Sequence, residues 1–450
     1  MQKCTKHAAF RGASARKESF LINRIRPLLF ALGMVLAGVL GAQPMPTSVQ
    51  PTPNGGWQLV RGGQPYYVNG AGGSVHMDQI VQLGGNSLRT WGLEDAERIL
   101  DEAQKHGLTV MMGLWLQHER HGFDYSNADR VASQKENFRQ AVLRLKDHPA
   151  LLCWGVGNEV DLFYTNTDVW YAVEDIAKMI HELDPNHPTT TMLAGAEPEV
   201  IKLVVARCPD LDLLSFQLYG EIDQLPDYLS QSGFSGAYTV SEWGATGHWE
   251  SACTDWDRPF EANSSVKAGC YQQRYIDYIA ADRRQCLGSF VFLWGQKQER
   301  TPTWYGVFLE QGQHTESAQV MGTLWTSQAP EQPVARLLSL DIEGLQAPAS
   351  IYLTEQKNYA ARVTVDYQQP ETLSYHWELL KEVDKKLESD GGDFEPRPET
   401  VWHQRGDSSL DRVEFPAPAP GEYRLFVLVV DSHGGAATAN LPVLVETATT

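Results

Sequence analysis

An eight-stranded parallel β/α barrel followed by an all-β sandwich is the fold this sequence predicts, and three observations carry it. Short apolar runs alternate with helix-period segments from Tyr66 to Trp294. Two of those runs, Leu151 to Gly157 and Ala237 to Ser241, break off in a carboxylate, Glu159 and Glu242. After Ala329-Pro330-Glu331-Gln332-Pro333 the composition changes to β-rich runs between polar turns. A strand buried on both faces reads as a continuous apolar run, as in parallel sheets flanked by helices. In a closed barrel of such strands the active site lies at their carboxyl ends. Glu159 and Glu242 are 83 residues apart, room for three strand–helix units at roughly 25–30 residues each, in keeping with about 250 residues for eight.

In order, residues 1–42 read as a signal peptide or N-terminal anchor. Seven Lys/Arg against Glu18 alone occupy residues 1–27, and Leu28 to Leu40 is an uncharged run of 13 residues. That run is short for a membrane span and suits a signal core. Leu40-Gly41-Ala42 offers a cleavage site, so the remainder is expected to be exported, with a membrane association only if the segment stays uncleaved. Residues 43–56 are Pro-rich and polar and read as a linker. The barrel is assigned to 57–329. Its strands are expected at Tyr66 to Gly73, Gly85 to Trp91, Thr109 to Trp115, Leu151 to Glu159, Thr189 to Ala194, Leu213 to Tyr219, Ala237 to Trp243 and Gly288 to Gly295. Between them, Ala96, Ile99, Leu100 and Ala103 carry a helical period that ends at His106-Gly107. Ser133-Gln134-Lys135-Glu136 reads as a capping box that starts a helix over Phe138, Val142 and Leu145. Val169, Val173, Ile176, Ile180 and Leu183 mark another helical face. Long helices are expected at 264–285 and 315–326.

The sandwich is assigned to 330–450. Ser374 to Leu379 is one strand, and Glu422 to Asp431 and Ala437 to Val445 form a hairpin through Ser432-His433-Gly434-Gly435. Lys381 to Pro398 is charged, contains Gly and Pro, and reads as a loop. A spacer or adhesion role is the expectation for this domain.

Charge narrows the partners. The chain carries a net −19, and without residues 1–42 it has 30 basic against 55 acidic residues, a net −25. An acidic surface argues against nucleic acid and favours neutral or cationic partners. Five cysteines lie beyond residue 42. Cys153 reads as a core residue, a Cys253–Cys270 bridge fits an oxidising compartment, and the connectivity stays open. No cysteine spacing matches a zinc set. His118-Glu119-Arg120-His121 has the wrong spacing for the helical zinc motif, so no metal and no cofactor is expected; His118 is a candidate substrate contact instead.

Two carboxylates at one barrel face point to glycosidic bond cleavage. The motifs then carry a resemblance. His148-Pro149-Ala150 before Leu151…Gly157-Asn158-Glu159, Asp184-Pro185 before Pro188, and Ser241-Glu242-Trp243-Gly244 together resemble clan A retaining glycoside hydrolases over about 57–326, the family 2 barrel first, with family 5 and the β-glucanosyltransferases nearby. Family 2 enzymes usually carry β domains before the barrel, and here 14 linker residues precede Trp57. The segment Pro420-Gly421-Glu422-Tyr423…Val430-Asp431-Ser432-His433-Gly434-Gly435 resembles a polycystic-kidney-disease-type, immunoglobulin-like module.

The resemblance implies Glu159 as acid/base and Glu242 as nucleophile. Retention requires the two carboxyl groups about 5–5.5 Å apart. Glu159 must hold a proton near neutral pH, which needs burial or a nearby negative charge. Glu242 must stay ionised, and Arg89 and Tyr219, at the exits of strands two and six, are suitable donors. Asn158 is expected to meet the sugar 2-hydroxyl, Trp294 to form the floor under the sugar, and Trp91 to line a subsite. The loops 115–132 and 244–263 exceed the usual length of about 2–6 residues and are expected to build the cleft. The predicted activity is retaining hydrolysis of a β-linked oligo- or polysaccharide. A transglycosylase shares the first step, and a non-catalytic carbohydrate-binding barrel is the rival from another class.

Overall fold

The computed structural model describes residues 43–388 and 392–448. The signal or anchor assigned to 1–42 lies outside the described residues. The first element overturns the linker at 43–56. Strand β1 (Thr47–Pro51) pairs antiparallel with β2 (Trp57–Arg61), and β2 pairs with β3 (Gln64–Tyr66). Pro51 ends β1 on a sheet edge, where no ladder donor is lost. This small sheet plugs the amino-terminal end of the barrel. Leu59 packs with Val68, Leu152, Leu213 and Phe290. Arg61 Nη1 donates to the Leu151 carbonyl at 2.8 Å, and the Trp57 indole donates to the Ser235 carbonyl at 2.7 Å.

The eight barrel strands are β4 (Val68–Gly72), β5 (Ser87–Arg89), β6 (Thr109–Leu114), β7 (Leu151–Asn158), β8 (Thr189–Leu193), β9 (Leu213–Gln217), β10 (Tyr238–Glu242) and β11 (Cys286–Val291). They lie in chain order around a closed ring, with β11 pairing parallel with β4. Every residue of β6 through β11 is buried, so these strands do not alternate between apolar and charged residues; Thr189, Thr190, Thr191 and Ser215 are buried polar members of the ring.

The connecting helices are α1 (Met77–Gln82), α2 (Ala96–Lys105), α3 (Ala128–Leu145), α4 (Val169–Leu183), α5 (Pro198–Arg207), α6 (Leu225–Ser232), α7 (Ser264–Arg274) and α8 (Glu316–Thr326). Two differ from expectation. Helix α3 starts at Ala128, where the Asn127 side chain accepts from the Arg130 amide. Ser133 and Glu136 are therefore interior to the helix, and Glu136 instead holds Arg139 and Gln140 on the exposed face. The helix expected over 264–285 passes into a single π turn at Tyr275–Ile279.

The sandwich comes last. A short strand β12 (His314–Thr315) from the end of the barrel pairs parallel with the last strand. Strands β13 (Arg336–Ile342), β14 (Ile351–Thr354), β15 (Asn358–Asp366), β16 (Ser374–Lys381), β17 (Thr400–Gly406), β18 (Arg412–Pro416), β19 (Gly421–Val430) and β20 (Gly435–Glu446) complete it. One sheet runs β12-β20-β19-β16-β17 with β14 on β20, and the other runs β13-β15-β18. Their inner faces enclose Trp377, Leu379, Phe415, Leu425 and Val427.

The sandwich is fastened to the barrel, not spaced from it. Arg258 forms ion pairs with Glu388 and Glu422 and donates to the Val383 carbonyl. Arg424 reaches Glu382 at 2.8 Å and the Pro259 carbonyl at 3.0 Å. Buried Glu261 gathers Lys267, Thr301 and, from β20, Asn440. Cys253 and Cys270 do not pair: both thiols are free, with Cys253 exposed.

Candidate active site

Both carboxylates sit where the strands leave the core. At the end of β7 the backbone turns sharply: Gly157 has φ +81° and Glu159 φ +48°. The second value lies in the left-handed region, which costs a side-chain-bearing residue about 1–3 kcal/mol and recurs at functional sites. The Glu159 amide is held in place by the Met192 carbonyl at 2.9 Å. Glu242 is the last residue of β10 and is buried.

Four donors converge on the Glu242 carboxylate. Oε1 accepts from Arg89 Nη1 at 2.8 Å, Trp91 Nε1 at 2.7 Å and Gln217 Nε2 at 3.0 Å. Oε2 accepts from the Tyr219 hydroxyl at 2.9 Å. Arg89 is fully buried. A buried cation that pairs with a carboxylate and donates hydrogen bonds favours the anion. Oε2, with one donor, is the oxygen left to react. Burial holds the Tyr219 hydroxyl well above its usual pKa, reinforced by the charge of Glu242, so it remains a donor.

Glu159 has the opposite surroundings. Burial first, then the charges of Glu242 and Asp161, push its carboxyl well above the usual range, against a smaller opposing pull from Arg89. Glu159 is thus set up to carry a proton. Asn158 Oδ1 accepts from Arg89 Nη2 and from Gln217 Nε2, the latter at 2.7 Å. Its amide nitrogen is left to donate into the cavity that Asn158 lines.

The two glutamates open into a cavity of about 260 Å³, at the small end of ligand sites, which run to roughly 300–1,000 Å³. Its walls include Trp91, Trp115, Tyr219, Trp249 and Phe292, and then Leu293, Lys297 and Glu299 from the loop after β11. Glu299 is buried, which raises its pKa, but His248 and Lys297 more than compensate and the net shift is downward.

The structure brings together six of the eight sequence candidates: Glu159, Glu242, Arg89, Asn158, Tyr219 and Trp91. Two are corrected. Trp294 is fully buried, donates to the His76 carbonyl at 3.2 Å and packs on Phe308 and Trp325. Strand β11 ends at Val291, so counting onward along a strand misplaces the aromatic wall, and Phe292 takes that place. His118 is also buried and does not line the cavity. Its ring stacks behind Trp115 with centroids 4.8 Å apart, and burial together with Arg120 lowers its pKa to about 4. The sequence reading missed Gln217, which joins Asn158 to Glu242. A Gln closing the buried strand Leu213–Gln217 was its one visible signal.

Residues 76–284 match the model of the glycosyl hydrolases family 2, TIM barrel domain. Over those residues the barrel is similar to the glycoside hydrolase barrels of that family. Among curated proteins, mannan endo-1,4-beta-mannosidase F of Aspergillus clavatus is 25% identical over an alignment of 175 residues, covering 28% of this chain and 40% of that protein. Among solved structures, the FMN-binding beta-glucuronidase from Facaelibacterium prausnitzii L2-6 is similar at a TM-score of 0.47 and 15% identity, over 90% of this chain and 59% of that one. The endo-1,4-beta-mannanase from Eisenia fetida is similar at 0.43 and 13%, over 62% of this chain and 96% of that one. The chain thus spans less than two thirds of the mannosidase and of the glucuronidase.

Proposed function

We propose that this protein is an exported, retaining β-glycoside hydrolase that cleaves O-glycosidic bonds of an oligo- or polysaccharide by double displacement. The observation that carries the reading is the contrast between the two carboxyl groups. Glu242 is surrounded by donors, and Glu159 is held protonated by burial and by Glu242 itself.

In the first step Glu242 Oε2 attacks the anomeric carbon and the glycosidic C–O bond breaks. Glu159 gives its proton to the leaving oxygen, and a glycosyl ester forms on Glu242. With that charge consumed, Glu159 becomes the base. It takes a proton from water, the water oxygen bonds the anomeric carbon, and the ester C–O bond breaks to release the sugar and free Glu242. Arg89, Trp91, Gln217 and Tyr219 hold the carboxylate in one orientation through both steps. The Asn158 amide is placed for the 2-hydroxyl, and the aromatic walls offer flat apolar faces to a sugar ring.

Export rests on the basic, then apolar, segment 1–42 of the sequence. The immunoglobulin-like reading of the sandwich belongs to the same proposal and is supported by its two stacked, mostly antiparallel sheets. The reading is tested by proton NMR of the first-formed product from an aryl β-glycoside. The β anomer is expected to appear before mutarotation. An α anomer would overturn retention.

A further inference from the structure

The loop between β16 and β17 does not stay with the sandwich. It runs onto the mouth of the barrel, and Gly392 lines the catalytic cavity. Barrel groups anchor it at four points. The Gly392 carbonyl accepts from Lys297 Nζ at 2.6 Å. Asp393 accepts from Arg120 Nη1 at 2.8 Å and Nη2 at 3.3 Å, and meets His121 Nε2 at 3.0 Å. The carboxylate of buried Glu395 accepts from the Arg300 amide at 2.7 Å. Glu388 pairs with Arg300 at 2.7 Å and with Arg258. Charged hydrogen bonds of this kind fix geometry as well as adding energy.

The topology gives this strap a direction. Lys297 and Arg300 follow β11, while Arg120 and His121 follow β6, and β4 and β5 lie between those strands in the ring. The strap therefore ties the loop after β11 to the loop after β6 beside the cavity that Gly392 lines. Gly392 fits closely there: φ is +77°, and an added Cβ would lie 2.9 Å from Lys297 Nζ. The strap also supports another wall. Arg120, held by Asp393, donates from Nε to His118 Nδ1 at 3.1 Å, and His118 stacks on Trp115, which lines the cavity.

We propose that Gly392–Glu395 of the sandwich form one wall of the substrate site, closing it between the loops after β11 and β6 so that it takes the end of a sugar chain and releases terminal units. A chain cut in its middle must leave a cleft on two opposite sides, and the strap removes one of them. Asp393 and Glu395 are positioning residues: they act through Gly392 and Trp115, not on the reacting bond. The inference rests on the glycosidase reading above and names which part of a substrate that site accepts.

The test uses the full-length protein and a panel of linear β-linked oligosaccharides labelled at the reducing end, with aryl β-glycosides of the same sugars. The wild type is expected to shorten the oligosaccharides one unit at a time. The D393A/E395A variant, shown folded by circular dichroism, is expected to raise the ratio of internal to terminal cuts at least tenfold, while its aryl glycoside hydrolysis still depends on Glu242. D393E is expected to restore the terminal pattern. If the double variant does not fold, D393N is expected to shift the same ratio in the same direction. Internal cuts by the wild type at first turnover would overturn the proposal, as would an unchanged pattern in the folded variants. Failure of the wild type to cleave any of these substrates would overturn the glycosidase reading and this inference with it.

Discussion

Tyr219 is the one donor to the oxygen of Glu242 that must move into bonding distance of the sugar. A hydrogen bond to a charged group contributes about 1.5–3 kcal/mol, so Y219F is expected to lower kcat about 10- to 100-fold with a smaller change in KM. Steady-state kinetics on an aryl glycoside check this. Glu159 makes a prediction with two signs. Its pKa in the fold is raised above the unfolded value, so the stability it supplies is fully present below the unfolded pKa and is lost as pH rises through the folded one. The same rise removes the catalytic proton, and activity should fall along that limb. E159Q should therefore lose hydrolysis of substrates with poor leaving groups, yet show a higher Tm than the wild type at neutral pH, by a margin that shrinks towards pH 4. Thermal unfolding across pH measures it, and a margin independent of pH would contradict the assignment.

At the scale of elements, two tryptophans separate packing from binding. Trp294 lies in the core behind β11, whereas Trp249 lines the cavity and is 58% exposed. W294A is expected to cost about 3–5 kcal/mol of stability. W249A should cost within about 0.5 kcal/mol and raise KM instead. Denaturant unfolding beside kinetics distinguishes the two. The barrel strands were legible because β5 through β11 are buried throughout, so their runs carry no charge until the chain nears the barrel mouth. The same logic placed Glu159, Glu242 and Arg89 at the barrel mouth, since each closes or follows such a run directly. It failed at Trp294, which lies three residues beyond Val291, where strand alternation no longer sets direction. It failed at β1 because prolines and polar residues mask a short strand whose stability comes from the barrel floor beneath it. His118 gave no signal of its burial, because stacking between Trp115 and His121 in a loop follows no periodic pattern.

At the scale of the whole molecule, barrel and sandwich share polar contacts: Glu261 with Asn440, Arg258 with Glu388 and Glu422, and Arg424 with the Pro259 carbonyl. Separating the domains would strand charges that are expensive to leave unpaired away from water. The chain is therefore expected to unfold in one calorimetric transition, and two resolved transitions would contradict this coupling. None of it was readable from sequence, where residues 381–398 appear as an ordinary charged loop. Pairs such as Arg120–Asp393 are 273 positions apart, and nothing local in either segment announces the other. The boundary near residue 330 was legible as a change in composition, but the function of the sandwich beyond it was not.

Everything proposed for the catalytic cycle depends on Glu242 being the nucleophile of a double displacement. The most direct measurement is intact mass after incubation with a panel of 2-deoxy-2-fluoro β-glycosides bearing activated leaving groups, with peptide mapping of any adduct. A mass gain of one fluorosugar on Glu242 is expected, absent in E242Q, with the labelling sugar naming the specificity of the pocket. A label on any other residue would contradict the assignment, as would a folded protein that hydrolyses a glycoside of the panel yet accumulates no adduct with its fluorinated counterpart.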